Sequence, residues 1–160
     1  MKIAILLPYK ENFAPNYAGA VSLFVNDTTK ESVYKNNTFI FGNTKSEKKL
    51  SKNYINLDLN KKLFQSTSKK YVQIFLAYEK EIQADIIEVH NRPNYIKQIK
   101  DTYRNKLILY FHNDPLSMNG SKSRNDRIYL LNNVDKIIFN SNWSKKRFFL
   151  DLPNKELLSQ

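Results

Sequence analysis

The chain holds two histidines, 22 residues apart, and each closes an apolar run in the same way: "DIIEVHNRP" at 85–93 and "LILYFHNDP" at 107–115. A strand, a short helix and a following strand fill about that interval. If the two strands run parallel and are joined by the usual right-handed crossover, His90 and His112 leave the sheet at the same edge, its carboxyl end. That is the edge at which open α/β sheets bind ligands. The loops there are polar and braced by proline, the first offering Asn91 and Arg92, the second Asn113 and Asp114. Such a set of donors and acceptors suits a substrate rich in hydroxyl groups. Two other readings of the histidines stay open: strand-end residues that bond a neighbouring carbonyl, and zinc ligands together with Asp114. The spacing matches no zinc signature, and no metal is expected.

The elements that must position these residues are legible as an alternation. Runs rich in Ile, Val and Phe at 2–8, 37–42, 54–59, 85–90, 106–112 and 135–141 alternate with helical segments at 19–33, 64–82, 93–104, 122–133 and 142–150. This order predicts an α/β domain with a mostly parallel sheet. The strands lack the polar alternation of a one-sided sheet, so both faces are expected to be covered. Val21, Phe24, Val25 and Thr28 mark the inner stripe of the first helix; Phe64, Tyr71, Ile74, Phe75, Tyr78 and Ile82 mark that of the second. An Asn or Ser ahead of Trp143 caps the last helix. The charged stretch "GNTKSEKKLSKN", 42–53, is expected to be a solvated connection.

The first strand delivers a third loop, "PYKENFAPNYAGAVS", 8–22, which closes on Gly19 at the start of a helix. The unpaired backbone N–H groups of that helix start would suit an anionic or hydroxyl-rich ligand. A glycine there equally suits close packing of helix on strand. Neither G-x-G-x-x-G nor G-x-x-x-x-G-K occurs, which disfavours dinucleotide and P-loop chemistry. No G-x-S-x-G elbow supports a serine nucleophile.

Composition sets the outer bounds. The 160 residues, 41% of them hydrophobic, suit one core. Without cysteine there is neither disulfide nor thiolate chemistry. No run is long enough for a spanning helix and the start does not read as a secretory signal, so a cytoplasmic location is the default. The net charge of +11 rests on lysines scattered along an Asn-rich chain rather than striped, and no nucleic-acid partner is expected. A peripheral contact with an anionic membrane is open, through Lys61, Lys62, Lys69 and Lys70 beside the aromatic face of 61–82, although such a face more often packs on the sheet.

Taken in order, "KIAILLP", "AGAVSLFV", "ADIIEVHNRP", "KLILYFHNDP" and "DKIIFNSNWSKKRF" resemble the N-terminal half of GT-B retaining glycosyltransferases of the group 1 (GT4) type. Among these, the bacterial enzymes of lipopolysaccharide, capsule and other surface-glycan synthesis are the most similar. The resemblance runs over nearly the whole chain and lies in order and spacing rather than in one motif. It implies a Rossmann-like acceptor-side domain over 1–150, with 151–160 beginning the connection to a C-terminal domain that holds the nucleotide-sugar. On that reading "NKELLSQ" is a chain cut in passage, and the 160 residues alone are expected to have no turnover.

The resemblance also implies roles. His112 matches the histidine that points at the transferred sugar while the acceptor hydroxyl attacks from the leaving-group face. Gly19 and the adjoining Ala20 match the loop that approaches the donor phosphate and the acceptor, with Ala18 where the family usually has a second glycine. Glu11, His90, Asn91, Arg92, Asn113 and Asp114 are the expected substrate contacts. No permanently bound cofactor is expected; the donor is a UDP- or GDP-sugar and the acceptor a glycan or a lipid-linked saccharide, at the inner face of the membrane. A stand-alone sugar- or nucleotide-binding module without catalysis is the alternative.

Overall fold

A computed structural model describes residues 1–59 and 66–152. Its strands are β1 (Ile3–Leu6), β2 (Thr38–Gly42), β3 (Tyr54–Asn56), β4 (Ile86–His90), β5 (Lys106–Phe111) and β6 (Lys136–Phe139). The helices are α1 (Ala20–Glu31), α2 (Thr67–Ile82), α3 (Ile96–Lys100), α4 (Arg124–Asn133) and α5 (Asn142–Phe148). All six strands join one parallel sheet in the order β3-β2-β1-β4-β5-β6. Two compact units divide the chain, residues 1–87 and 88–160.

In the first unit β1 and β2 pair in register from Ile3 opposite Thr38 to Leu6 opposite Phe41. Period-two alternation sends Ile3, Ile5 and Ile40 to one face, where they meet Val21 and Val25 of α1 and Phe13 of the loop after β1. The opposite face turns Phe41 onto Phe75 of α2, their ring centroids 5.0 Å apart and edge to face. Helices on both faces explain why β1 is apolar at every position, as expected. The stripe of α1 is rotated from its expected place: Phe24 and Thr28 are exposed, while Ser22, Asn26 and Thr29 are buried beside Val21 and Val25. In α2, Tyr71, Val72 and Phe75 are buried and pack on the sheet, while Tyr78 of the expected stripe is exposed. Phe64, Lys61 and Lys62 lie outside the described residues.

In the second unit Leu107, Leu109 and Phe111 are wholly buried. Phe111 stacks on Phe139 with centroids 5.5 Å apart, and Phe148 of α5 closes the cluster against both rings. The edge strands β3 and β6 are only half-buried, contrary to the expectation of two covered faces, because an edge has one neighbour. The expected helix at 93–104 is a 3-10 turn over Pro93–Tyr95 leading into the short α3. Ser141 caps α5 by accepting from the Ser144 amide, and Ser123 with Asp126 forms a capping box on α4. Residues 153–160, including Pro153 and most of the expected interdomain connection, lie outside the described residues. Among the described residues no helix is long and apolar enough to cross a membrane.

Candidate active site

The polar groups gather in two places, one in each unit. In the second unit His90 ends β4 and His112 follows β5, and the imidazoles meet: His90 Nδ1 lies 2.9 Å from His112 Nε2. The predicted emergence at one edge is therefore observed. Tyr110 stacks against both rings, with centroids 5.1 Å from His90 and 4.8 Å from His112. Glu88 approaches His90 from the other side, Oε2 lying 3.5 Å from Nε2. Glu88 and Tyr110 each precede their histidine by two residues and so share its face of the strand. That spacing is a signal in the sequence which motif reading passes over.

Asn91 takes the left-handed conformation with φ 56° and is 4% exposed. Asparagine tolerates this region better than other side chains with a Cβ. The turn lets its own N–H donate to the Tyr110 carbonyl at 2.7 Å. Its Oδ1 accepts from the amides of His112 and Asn113 at 3.2 and 3.3 Å. The side chain that sequence reading offered to a substrate is here engaged in holding the backbone of the next loop. From the other flank Asn140 Nδ2 donates to the His112 carbonyl at 2.7 Å. His112 is thereby gripped at its N–H and its C=O, with the imidazole half-buried.

The remaining predicted residues spread around this centre. Asn113 is exposed. Asp114 caps a 3-10 turn through the Leu116 amide and takes a two-pronged bond from Arg147 of α5, Nε at 3.2 Å and Nη2 at 3.0 Å. The guanidinium holds the Asp114 carboxyl below its ordinary range. Arg92 donates to the carbonyl of Asn91 at 2.8 Å. Gly120, at φ 92°, brings the second loop against the first: a Cβ there would lie 2.5 Å from the Asn94 nitrogen. Among the described residues no group of three or more His, Cys, Asp or Glu side chains gathers that could hold a metal ion.

Electrostatics give His112 a definite state. Burial, and after it the neighbouring His90, pushes its imidazole down to about 4. At neutral pH the ring is uncharged and can accept a hydrogen bond on one nitrogen while donating from the other. Tyr110 is raised, by burial first and by Glu88 second.

The first unit contributes the loop from Pro8 to Gly19. Phe13 is its anchor, wholly buried and stacked on Tyr54 at 5.0 Å. Burying such a ring stabilises by about 1.5–3 kcal/mol. The Phe13 amide donates to Thr44 Oγ1 at 2.8 Å, and the Tyr54 hydroxyl donates to the same oxygen at 3.0 Å. The 42–53 connection is thus only in part the solvated loop expected, since Thr44 is buried beneath it. Glu11 lies over the start of α1, its Oε1 accepting from the Ser22 amide at 3.0 Å. The helix-terminal position that sequence reading offered to an anionic ligand holds a carboxylate of the chain itself. Gly19 permits this, because a Cβ there would overlap Glu11 Oε1. Ala20 is exposed at the first position of the helix.

A six-stranded parallel sheet of this order, covered by helices, is the Rossmann-like α/β fold seen in a GT-B glycosyltransferase. No family model and no curated protein sequence matches the chain. Among solved structures it is similar to the sucrose-phosphate synthase of Thermosynechococcus elongatus, at a TM-score of 0.62 and 13% identity over 94% of this chain and 44% of that one. A second structure of that enzyme matches at a TM-score of 0.60 and 13% identity, covering 94% of this chain and 82% of the other. This chain therefore spans under half the length of the first of these. The likeness is one of fold.

Proposed function

We propose that the chain is the acceptor-side domain, residues 1–150, of a retaining glycosyltransferase that uses a UDP- or GDP-sugar. Its acceptor would be a glycan or lipid-linked saccharide in the synthesis of lipopolysaccharide, capsule or another surface polysaccharide. The observation that carries the reading is His112: a half-exposed, uncharged imidazole at the carboxyl end of β5, held by its own backbone, in a fold that superposes on a sucrose-phosphate synthase over 94% of the chain. Glycosyl transfer passes through an oxocarbenium-like state, to which a second cation near the sugar would be unfavourable. A neutral imidazole orients a sugar hydroxyl without adding charge. Asn113 and Asp114 lie next to it for further hydroxyl contacts, while Asn91 and His90 support from beneath. Glu11 and Gly19 would meet the donor phosphate or acceptor from the first loop, with Glu11 displaced when an anion takes its place. The cations for the leaving diphosphate and the grip on the nucleotide would come from a C-terminal domain, so residues 1–160 alone are expected not to turn over. Peripheral attachment at the inner face of the membrane fits a lipid-linked acceptor and the charge of +11.

The test is to incubate the product of the complete reading frame with a panel of UDP- and GDP-sugars and candidate glycan acceptors. Transfer is read by mass spectrometry and anomeric configuration by NMR. Retentive transfer from one donor is expected. Saturable sugar or nucleotide binding with no turnover on any donor would instead support a binding module.

A further inference from the structure

Glu88, His90 and His112 form a row, of which the roles above use the His112 ring and leave Glu88 and the two ring nitrogens of His90 unexplained. His90 is buried and its two ring nitrogens face different partners: Nε2 faces the Glu88 carboxylate at 3.5 Å and Nδ1 faces His112 Nε2 at 2.9 Å. An ionised carboxylate offers only lone pairs, so it repels an unprotonated nitrogen and favours the proton on the side facing it. At 3.5 Å this preference is electrostatic more than a short hydrogen bond, and burial of His90 strengthens it. In the tautomer protonated on Nε2, His90 has a lone pair on Nδ1. The 2.9 Å contact can then be made in one sense only, with His112 Nε2–H donating.

We propose that Glu88 and His90 are positioning residues that fix His112 as its Nε2-protonated tautomer, so that Nδ1 is the nitrogen that accepts from a hydroxyl-bearing ligand. Tyr110, stacked on both rings, holds their planes and leaves the imidazoles little freedom to exchange roles. The assignment of tautomers stands on this geometry; the ligand hydroxyl rests on the glycosyltransferase reading. It carries a preference with it: a ligand must donate to His112, so a deoxy or O-methyl sugar at the contacted position should be rejected more strongly than an epimer that keeps a donor within reach. Sites built to bond a hydroxyl discriminate steeply against its absence.

The experiment is long-range ¹H–¹⁵N correlation of the histidine side chains in the 160-residue chain at neutral pH. In the wild type His112 is expected to show a protonated Nε2 and an unprotonated Nδ1, and His90 the same pattern. In Glu88→Gln, where an amide can accept or donate, both histidines should move toward mixed tautomers. In His90→Phe the preference of His112 should weaken while its backbone amide shifts little. A wild-type His112 protonated on Nδ1 overturns the proposal without any variant having to fold, and so does a Glu88→Gln spectrum identical to the wild type. Because this readout needs no turnover, failure of the relay is distinguishable from failure of the transferase reading. If the tautomers are as stated and no donor is turned over, the relay stands and only its ligand is wrong.

Discussion

β4 and β5 both run out into His-Asn and reach proline two positions later, yet the structure uses the two pairs in opposite ways. In the first, His90 is 1% exposed and Asn91 4%, and their polar atoms are directed at the second loop. In the second, His112 is half-buried and Asn113 exposed. One His-Asn pair is a support and the other a presentation. A repeated motif therefore need not mark two equivalent halves of a site. What separates them is the backbone: Asn91 turns left-handed at φ 56° and folds its side chain back across the sheet, whereas Asn113 does not.

The largest effect expected from disturbing this pairing is at the contact between the loops. Gly120→Ala places a Cβ 2.5 Å from the Asn94 nitrogen at a φ of 92°. Relieving backbone strain and overlap together should cost about 3 kcal/mol or more, measured by urea denaturation. A loss below about 1 kcal/mol would show that the loops part without penalty.

Next comes the comparison of the two asparagines. Asn91→Ala leaves the His112 and Asn113 amides without their acceptor and puts alanine in the left-handed region, for an expected loss of about 2–3 kcal/mol. Asn113→Ala should stay within about 0.5 kcal/mol. Equal losses in the two variants, by the same denaturation, would erase the distinction drawn here.

The third effect is smaller and depends on pH. His112 titrates near its ordinary 6.5 when unfolded and about 4 when folded. Between those values the unfolded chain binds more protons, so stability rises with pH. Acidification from above 6.5 to about 4 should remove about 1–2 kcal/mol through this residue, roughly half the unscreened value because the ring is half-exposed. His112→Asn should flatten that part of the stability profile, and an unchanged slope would place the histidine in a different environment.

Much of the fold could be read from the sequence because buried parallel strands are locally apolar. All six runs became strands, and of the Asn and Ser residues ahead of Trp143 it is Ser141 that caps the last helix. The α1 stripe was misplaced because hydrophobic counting favours Phe24 over Ser22 and Asn26, whose burial depends on what packs against them. Thr44 was assigned to a solvated loop because its partner Phe13 is 31 residues away. The histidine pair was legible from spacing, but its supports were not: Asn140 and Arg147 reach His112 and Asp114 across 28 and 33 residues. Glu88 and Tyr110 were within reach of reading, since each shares a strand face with its histidine.

The most direct test of the account is the turnover of His112→Ala in the product of the complete reading frame, taken together with its melting temperature. The account predicts a fall in kcat of about 100-fold or more with a melting temperature within a few degrees of the wild type, because the supports of this residue are its neighbours. Wild-type turnover, or a loss no greater than the fraction unfolded, would contradict the claim that this histidine faces the reacting sugar.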